Sequence, residues 1–107
     1  WTIHLDTGEM HRLDRPTLLG RSPIPKPWEA HLQQVVVTDP SLTVSKTHLL
    51  VEVTADGLVV TDRGSANGTM VQAPPAAPQP LAPNVAVAVA PGAVVHFGDR
   101  SFTVRPT

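Results

Sequence analysis

The chain has no cysteine, and its only aromatic residues are Trp1, Trp28, Phe97 and Phe102. Without thiols there is no disulfide framework and no thiolate metal site, which suits a reducing compartment. The histidines, His4, His11, His31, His48 and His96, lack the i, i+4 spacing of metal ligands, so neither a metal nor another cofactor is expected. No apolar run approaches the roughly 20 residues that cross a bilayer, and no signal-peptide pattern opens the chain. Charge of one sign is lacking too. The formal net charge is -1, which excludes the broad basic footprint of a nucleic-acid-binding domain. No stretch keeps a helical period, so long helices are not expected.

What is present is punctuation. Twelve prolines and seven glycines divide 107 residues into short segments whose apolar share is mostly valine and alanine. That length and pattern suit one domain with a modest core. The first residue is Trp1 and not Met, so residues 1–107 are read as a single domain cut from a longer protein. Residues 1–5 alternate and read as a strand, residues 10–13 as a second, and residues 17–19 as a third that ends at Gly20-Arg21. Residues 22–34, with prolines at 23, 25 and 27, form a long loop, and Val35-Val36-Val37 is a short buried strand. Asp39-Pro40 is a turn signal, and residues 48–54 pair with residues 58–62 in a hairpin. Asn67-Gly68 is read as a hairpin turn leading into residues 69–71, since both residue types tolerate positive φ. The Pro/Ala-rich residues 73–83 form an exposed, extended loop. Residues 84–89, 93–97 and 101–104 are the last strands, the final pair joined at Gly98-Asp99. Many short strands between turn signals predict a β-sandwich.

Three short elements carry chemistry: Gly20-Arg21-Ser22, Ser45-Lys46-Thr47-His48, and Ser65-Ala66-Asn67-Gly68-Thr69. Each sits where a strand meets a loop, and loops of a sandwich cluster at its two ends. Brought to one apex, they supply an arginine, a lysine, hydroxyls and an amide, with few carboxylates. That donor-rich set suits a phosphate dianion: a guanidinium fork, an ammonium point charge and hydroxyls for the remaining lone pairs. Ser45, His48 and Asp62 also permit a Ser-His-Asp hydrolase reading, although no nucleophile-elbow motif is present.

The order Gly-Arg, Ser-Lys-x-His, Ser-x-Asn-Gly-Thr, followed by "HFGDRSFTV", resembles the forkhead-associated (FHA) domain family over residues 17–104. The resemblance implies an all-β, eleven-stranded FHA/SMAD-like β-sandwich with its binding loops at one end, and a module that binds phosphothreonine peptides. Carried over by position, Arg21 and Ser45 bind the phosphate and Lys46 assists. Ser65 and Asn67 organise and clasp the peptide backbone. Gly20, His48 and Gly68 are structural, the imidazole tying neighbouring loops together. At Ala66 a hydroxyl common in the family is missing, leaving only the backbone N–H to donate, and the 22–34 segment is longer and richer in proline than the family pattern. The implied partner is a phosphothreonine-containing protein downstream of a serine/threonine kinase, with no nucleic acid and no membrane contact. The implied location is cytoplasmic, alone or as the cytoplasmic part of a larger protein. The competing reading is a phosphate-independent scaffold that uses a lateral face of the same sandwich.

Overall fold

The computed structural model describes all residues, 1–107. Its strands are β1 (Thr2–Leu5), β2 (Met10–Arg12), β3 (Thr17–Gly20), β4 (Gln33–Val36), β5 (Leu49–Thr54), β6 (Gly57–Asp62), β7 (Thr69–Gln72), β8 (Gln79–Pro80), β9 (Val87–Val89), β10 (Val94–Phe97) and β11 (Arg100–Arg105). They form two sheets, one ordered β2-β1-β11-β10-β7-β8 and the other β4-β3-β5-β6-β9. All neighbours with a register are antiparallel except β3 and β4, which run parallel. The only helical segment is one 3-10 turn, Pro27–Glu29.

Alternation along the strands builds the core. On β1, Ile3 and Leu5 are buried while Thr2 and His4 are half-exposed, and β11 repeats this with Phe102 and Val104. The inward side chains of both sheets meet in one cluster of 17 buried residues. Phe97 and Phe102, the only phenylalanines, lie in it with ring centroids 5.8 Å apart. The rings of His48 and Phe97 meet edge to face with centroids 5.7 Å apart, so the core reaches up to the loops at one end.

Four sequence expectations are corrected. Asn67-Gly68 does not turn a hairpin: β6 and β7 belong to different sheets, and only Gly68 has positive φ, +79°. The loop crosses the gap between the layers, and Gly64 at φ +71° supplies its other unusual backbone position. Val36 is 61 % exposed, because β4 alternates like any edge strand and buries only Val35 and, beyond its end, Val37. The Pro/Ala-rich loop contains β8, whose Gln79 and Pro80 pair with β7; an edge position accepts a proline that a central strand would not. Finally, β9 begins only at Val87, because Asn84 takes φ +62° and donates its amide to the Asp62 carbonyl.

The parallel β3–β4 pair has a further consequence. Residues 21–32 must cross from the top of β3 to the bottom of β4 over the outer face of the five-stranded sheet. Leu18 registers this cover. It sits beside Gln34 and Leu50 in a row facing away from the core, outside the main cluster, yet it is fully buried.

Candidate functional site

The end of β3, the start of β5, the end of β6, the start of β7 and the β10–β11 turn meet at one end of the sandwich. Backbone contacts align the first two loops. The Arg21 amide donates to the Ser45 carbonyl at 3.2 Å, the Ser22 amide to the Lys46 carbonyl at 3.1 Å, and the His48 amide to the Leu19 carbonyl at 2.8 Å. Gly20 permits this approach: a Cβ there would lie 1.9 Å from the Lys46 carbonyl oxygen.

His48 joins the second loop to the third. It is fully buried; its Nδ1 accepts from the Ser45 amide at 3.0 Å, and its Nε2 bonds the Gly68 carbonyl at 2.9 Å. An acceptor at Nδ1 and a carbonyl at Nε2 require the neutral Nε2–H tautomer. Burial pushes the imidazole below its ordinary value, partly opposed by the Gly68 carbonyl and the Asp62 carboxylate 3.7 Å away. This wiring does not make a triad. The nitrogen facing Ser45 takes the backbone N–H, and the Ser45 hydroxyl has no bond to the ring.

Two buried carboxylates shape the loops from below. Asp39 accepts from the hydroxyls of Ser41 at 2.6 Å and Thr43 at 3.2 Å and from the Val44 amide at 2.8 Å. Burial would raise its pKa, but these donors together hold it at about 2. Asp62 accepts from the Ser65 amide and hydroxyl at 2.8 and 2.6 Å and from the Thr69 hydroxyl at 2.6 Å. Burial again opposes, and the Ser65 and Thr69 hydroxyls prevail, so its pKa is lowered. Both carboxylates are thus turned inward and fully engaged by protein donors.

What remains open is donor-rich. Arg21 is half-buried and bonds the Val44 carbonyl through Nε, while its terminal nitrogens have no protein partner. Neither Arg21 nor the exposed Lys46 belongs to an ion pair, whereas Arg63 and Arg100 do. The Ser45 oxygen accepts the Ala66 amide at 3.0 Å, and its own hydrogen is donated to nothing in the protein. Asn67 donates one amide hydrogen to the Thr43 carbonyl at 2.8 Å and keeps its oxygen unbonded.

The arrangement therefore brings Arg21, Ser45, Lys46, Ala66 and Asn67 to one apex and engages two of the expected contact groups within the protein. Ser65, expected to clasp a ligand, has its hydroxyl engaged on both sides: it donates to Asp62 and accepts the Gly68 amide at 3.0 Å. The Ala66 N–H, expected to be available, is held by Ser45. Sequence reasoning missed Asp39 and Thr43. A Ser and a Thr two and four places after Asp39 were a readable turn signature. The second role of Thr43 gave no such signal, since its contacts with Asn67 and with the Asp99 amide, the latter at 2.7 Å, are distant in sequence. No three His, Asp or Glu side chains converge as a metal site, and no helix is long and apolar enough to cross a membrane.

This geometry can be set beside known proteins. Residues 17–98 match the model of the FHA domain family. No curated protein matches the chain at a significant level. Among solved structures, the FHA domain of FhaA, crystallised with the intracellular domain of Rv3910, superposes with a TM-score of 0.65 at 25% identity, covering 97% of this chain and 98% of that one. Mycobacterium tuberculosis EmbR, in complex with a low-affinity phosphopeptide, gives 0.71 at 24% identity over 97% of this chain and 24% of its own. The FHA domain of human APLF, in complex with an XRCC1 bisphospho peptide, gives 0.72 at 22% identity over 99% and 97%. With the sandwich, the apical loops and a family match over most of its length in agreement, the chain belongs to the FHA domain family.

Proposed function

We propose that this domain is a phosphothreonine-dependent interaction module and not an enzyme. The observation that carries the reading is the set of unengaged donors at the apex: the terminal nitrogens of Arg21, the Lys46 ammonium and the Ser45 hydroxyl hydrogen. A phosphoryl group brings roughly −1.5 to −2 charge at pH 7 and several acceptor oxygens, which is what such a set lacks. Arg21 makes the bidentate contact, Ser45 donates its hydroxyl, and Lys46 adds charge from the rim. Asn67 presents its oxygen and remaining N–H to the peptide backbone beside the phosphothreonine. Ser65 acts through the loop it ties to Asp62, and the Ala66 amide through the Ser45 oxygen it fixes.

Phosphopeptide complexes of relatives support the same reading, among them those of EmbR and APLF. The ligand is then a protein phosphorylated by a serine/threonine kinase, met in the cytoplasm, with neither nucleic acid nor membrane as partner. Probing a degenerate peptide library in phosphothreonine, phosphoserine and unmodified forms tests the proposal. Retention of the phosphothreonine set alone is expected. Equal retention of the unmodified set would mean a phosphate-independent scaffold.

A further inference from the structure

The segment over the outer face of the five-stranded sheet is stiffened by Pro23, Pro25 and Pro27. Two contacts bolt it to the rim of the phosphate cradle. The Ile24 amide donates to Thr47 Oγ1 at 2.9 Å, next to Ser45 and Lys46. Glu29 accepts both terminal nitrogens of Arg63, at 2.9 and 3.1 Å, at the entry to the Ser65–Gly68 loop. That pair is only 14 % and 12 % exposed, and the Arg63 hydrogen bonds hold the Glu29 pKa below its ordinary value. Between the anchors the segment turns its largest apolar side chains outward: Ile24 is 66 % exposed and Trp28 71 %. Lys26 Nζ lies 5.5 Å from the Trp28 ring centroid, and Lys26, like Lys46 and Arg21, has no carboxylate partner. Apolar side chains held rigidly in water bind without a large ordering cost when a ligand covers them.

We infer that Ile24 and Trp28 form a subsite beside the phosphate cradle that receives an apolar side chain flanking the phosphothreonine. The occupant is the phosphopeptide itself, because the segment is anchored to two of the loops that hold the phosphate and its unpaired cations match the ligand's charge. Glu29 is a positioning residue that fixes Trp28 through Arg63. The inference rests on the phosphopeptide reading above and adds to it a determinant of sequence preference.

The test uses a phosphothreonine library with randomised flanks, followed by titration of one enriched phosphopeptide and its alanine-flank twin. The wild-type domain is expected to enrich an apolar residue at one flank position. Ile24→Ala and Trp28→Ala should each weaken the enriched phosphopeptide about fivefold while binding the alanine-flank twin as the wild type does. Trp28 also reports directly, since the only other tryptophan, Trp1, is held at the opposite end by the Thr54 carbonyl at 2.9 Å. Its emission should shift to the blue as the phosphopeptide saturates the domain. Phosphothreonine binding with no flank preference, with unchanged affinities in both variants, or with unmoved emission at saturation would overturn the subsite alone. Failure of the wild type to bind any phosphopeptide would overturn the proposed function and the subsite with it.

Discussion

Gly20 and His48 are expected to act on stability and Arg21, as proposed, on binding, and measurements can separate them. Gly20→Ala drives a methyl into the Lys46 carbonyl, and backbone on both sides leaves no room to yield. A loss of about 3 kcal/mol or more is expected, read as a lower melting temperature. Arg21→Ala removes one bond to the Val44 carbonyl, worth about 1 kcal/mol of stability. It also removes the charge-assisted contacts proposed for it with phosphate, so a loss of roughly 1.5–3 kcal/mol, or about tenfold or more in affinity, is expected. Calorimetry beside a melt distinguishes the two effects. Burial holds His48 below its ordinary 6.5, so the folded state resists protonation that the unfolded chain accepts. Its contribution to stability is therefore present above pH 6.5 and is lost as pH falls below it. Asp39, depressed from 3.8 to about 2, contributes above 3.8 and is lost as pH falls from there towards 2. Melting temperature should thus decline on acidification first through His48 and then through the carboxylates. Imidazole resonances titrating at or above 6.5 for His48 would contradict the first step.

The strands were legible because alternation and turn residues mark them locally. The 48–54 and 58–62 hairpin and the Gly98-Asp99 turn needed nothing from the rest of the chain. Errors arose where tertiary structure overrides a local signal. Asn67-Gly68 carries the strongest hairpin signature, yet its flanking strands lie in different layers, because Asp62 gathers Ser65 and Thr69 and bends the chain across the gap. β8 is two residues long and exists only because β7 offers it an edge. The site motifs were readable as residue types but not as a network. Nothing local distinguishes the hydroxyl of Ser45, which is free to donate, from that of Ser65, which is engaged on both sides. Ser65→Ala provides the check. It removes a bond to Asp62 and the acceptor for the Gly68 amide, so a loss of about 1–3 kcal/mol in stability is expected. Phosphate dependence of binding should persist. Its disappearance with an unchanged melt would mean that Ser65 touches the ligand.

The whole sandwich serves to hold five loop ends in register, with a core that reaches His48 through Phe97. Loops tied to one another at Ser45, His48, Thr43 and Asn67 need little reordering on binding. A ligand that binds only this folded apex stabilises the entire domain by mass action, by about 2.7 kcal/mol at a concentration of 100 Kd. For a chain of this size each kcal/mol shifts the melt by roughly 4–8 °C, so a rise of roughly 10–20 °C is expected with phosphopeptide and none with its unmodified twin. Isothermal titration of one library-selected phosphothreonine peptide, its phosphoserine and unmodified counterparts, and the Arg21→Ala domain decides the phosphothreonine assignment. The wild type should bind the phosphothreonine peptide, bind the phosphoserine form more weakly and leave the unmodified form unbound, and Arg21→Ala should bind the phosphothreonine peptide about tenfold or more weakly. Equal heats and affinities for the phosphorylated and unmodified peptides, or wild-type affinity in Arg21→Ala, would contradict it.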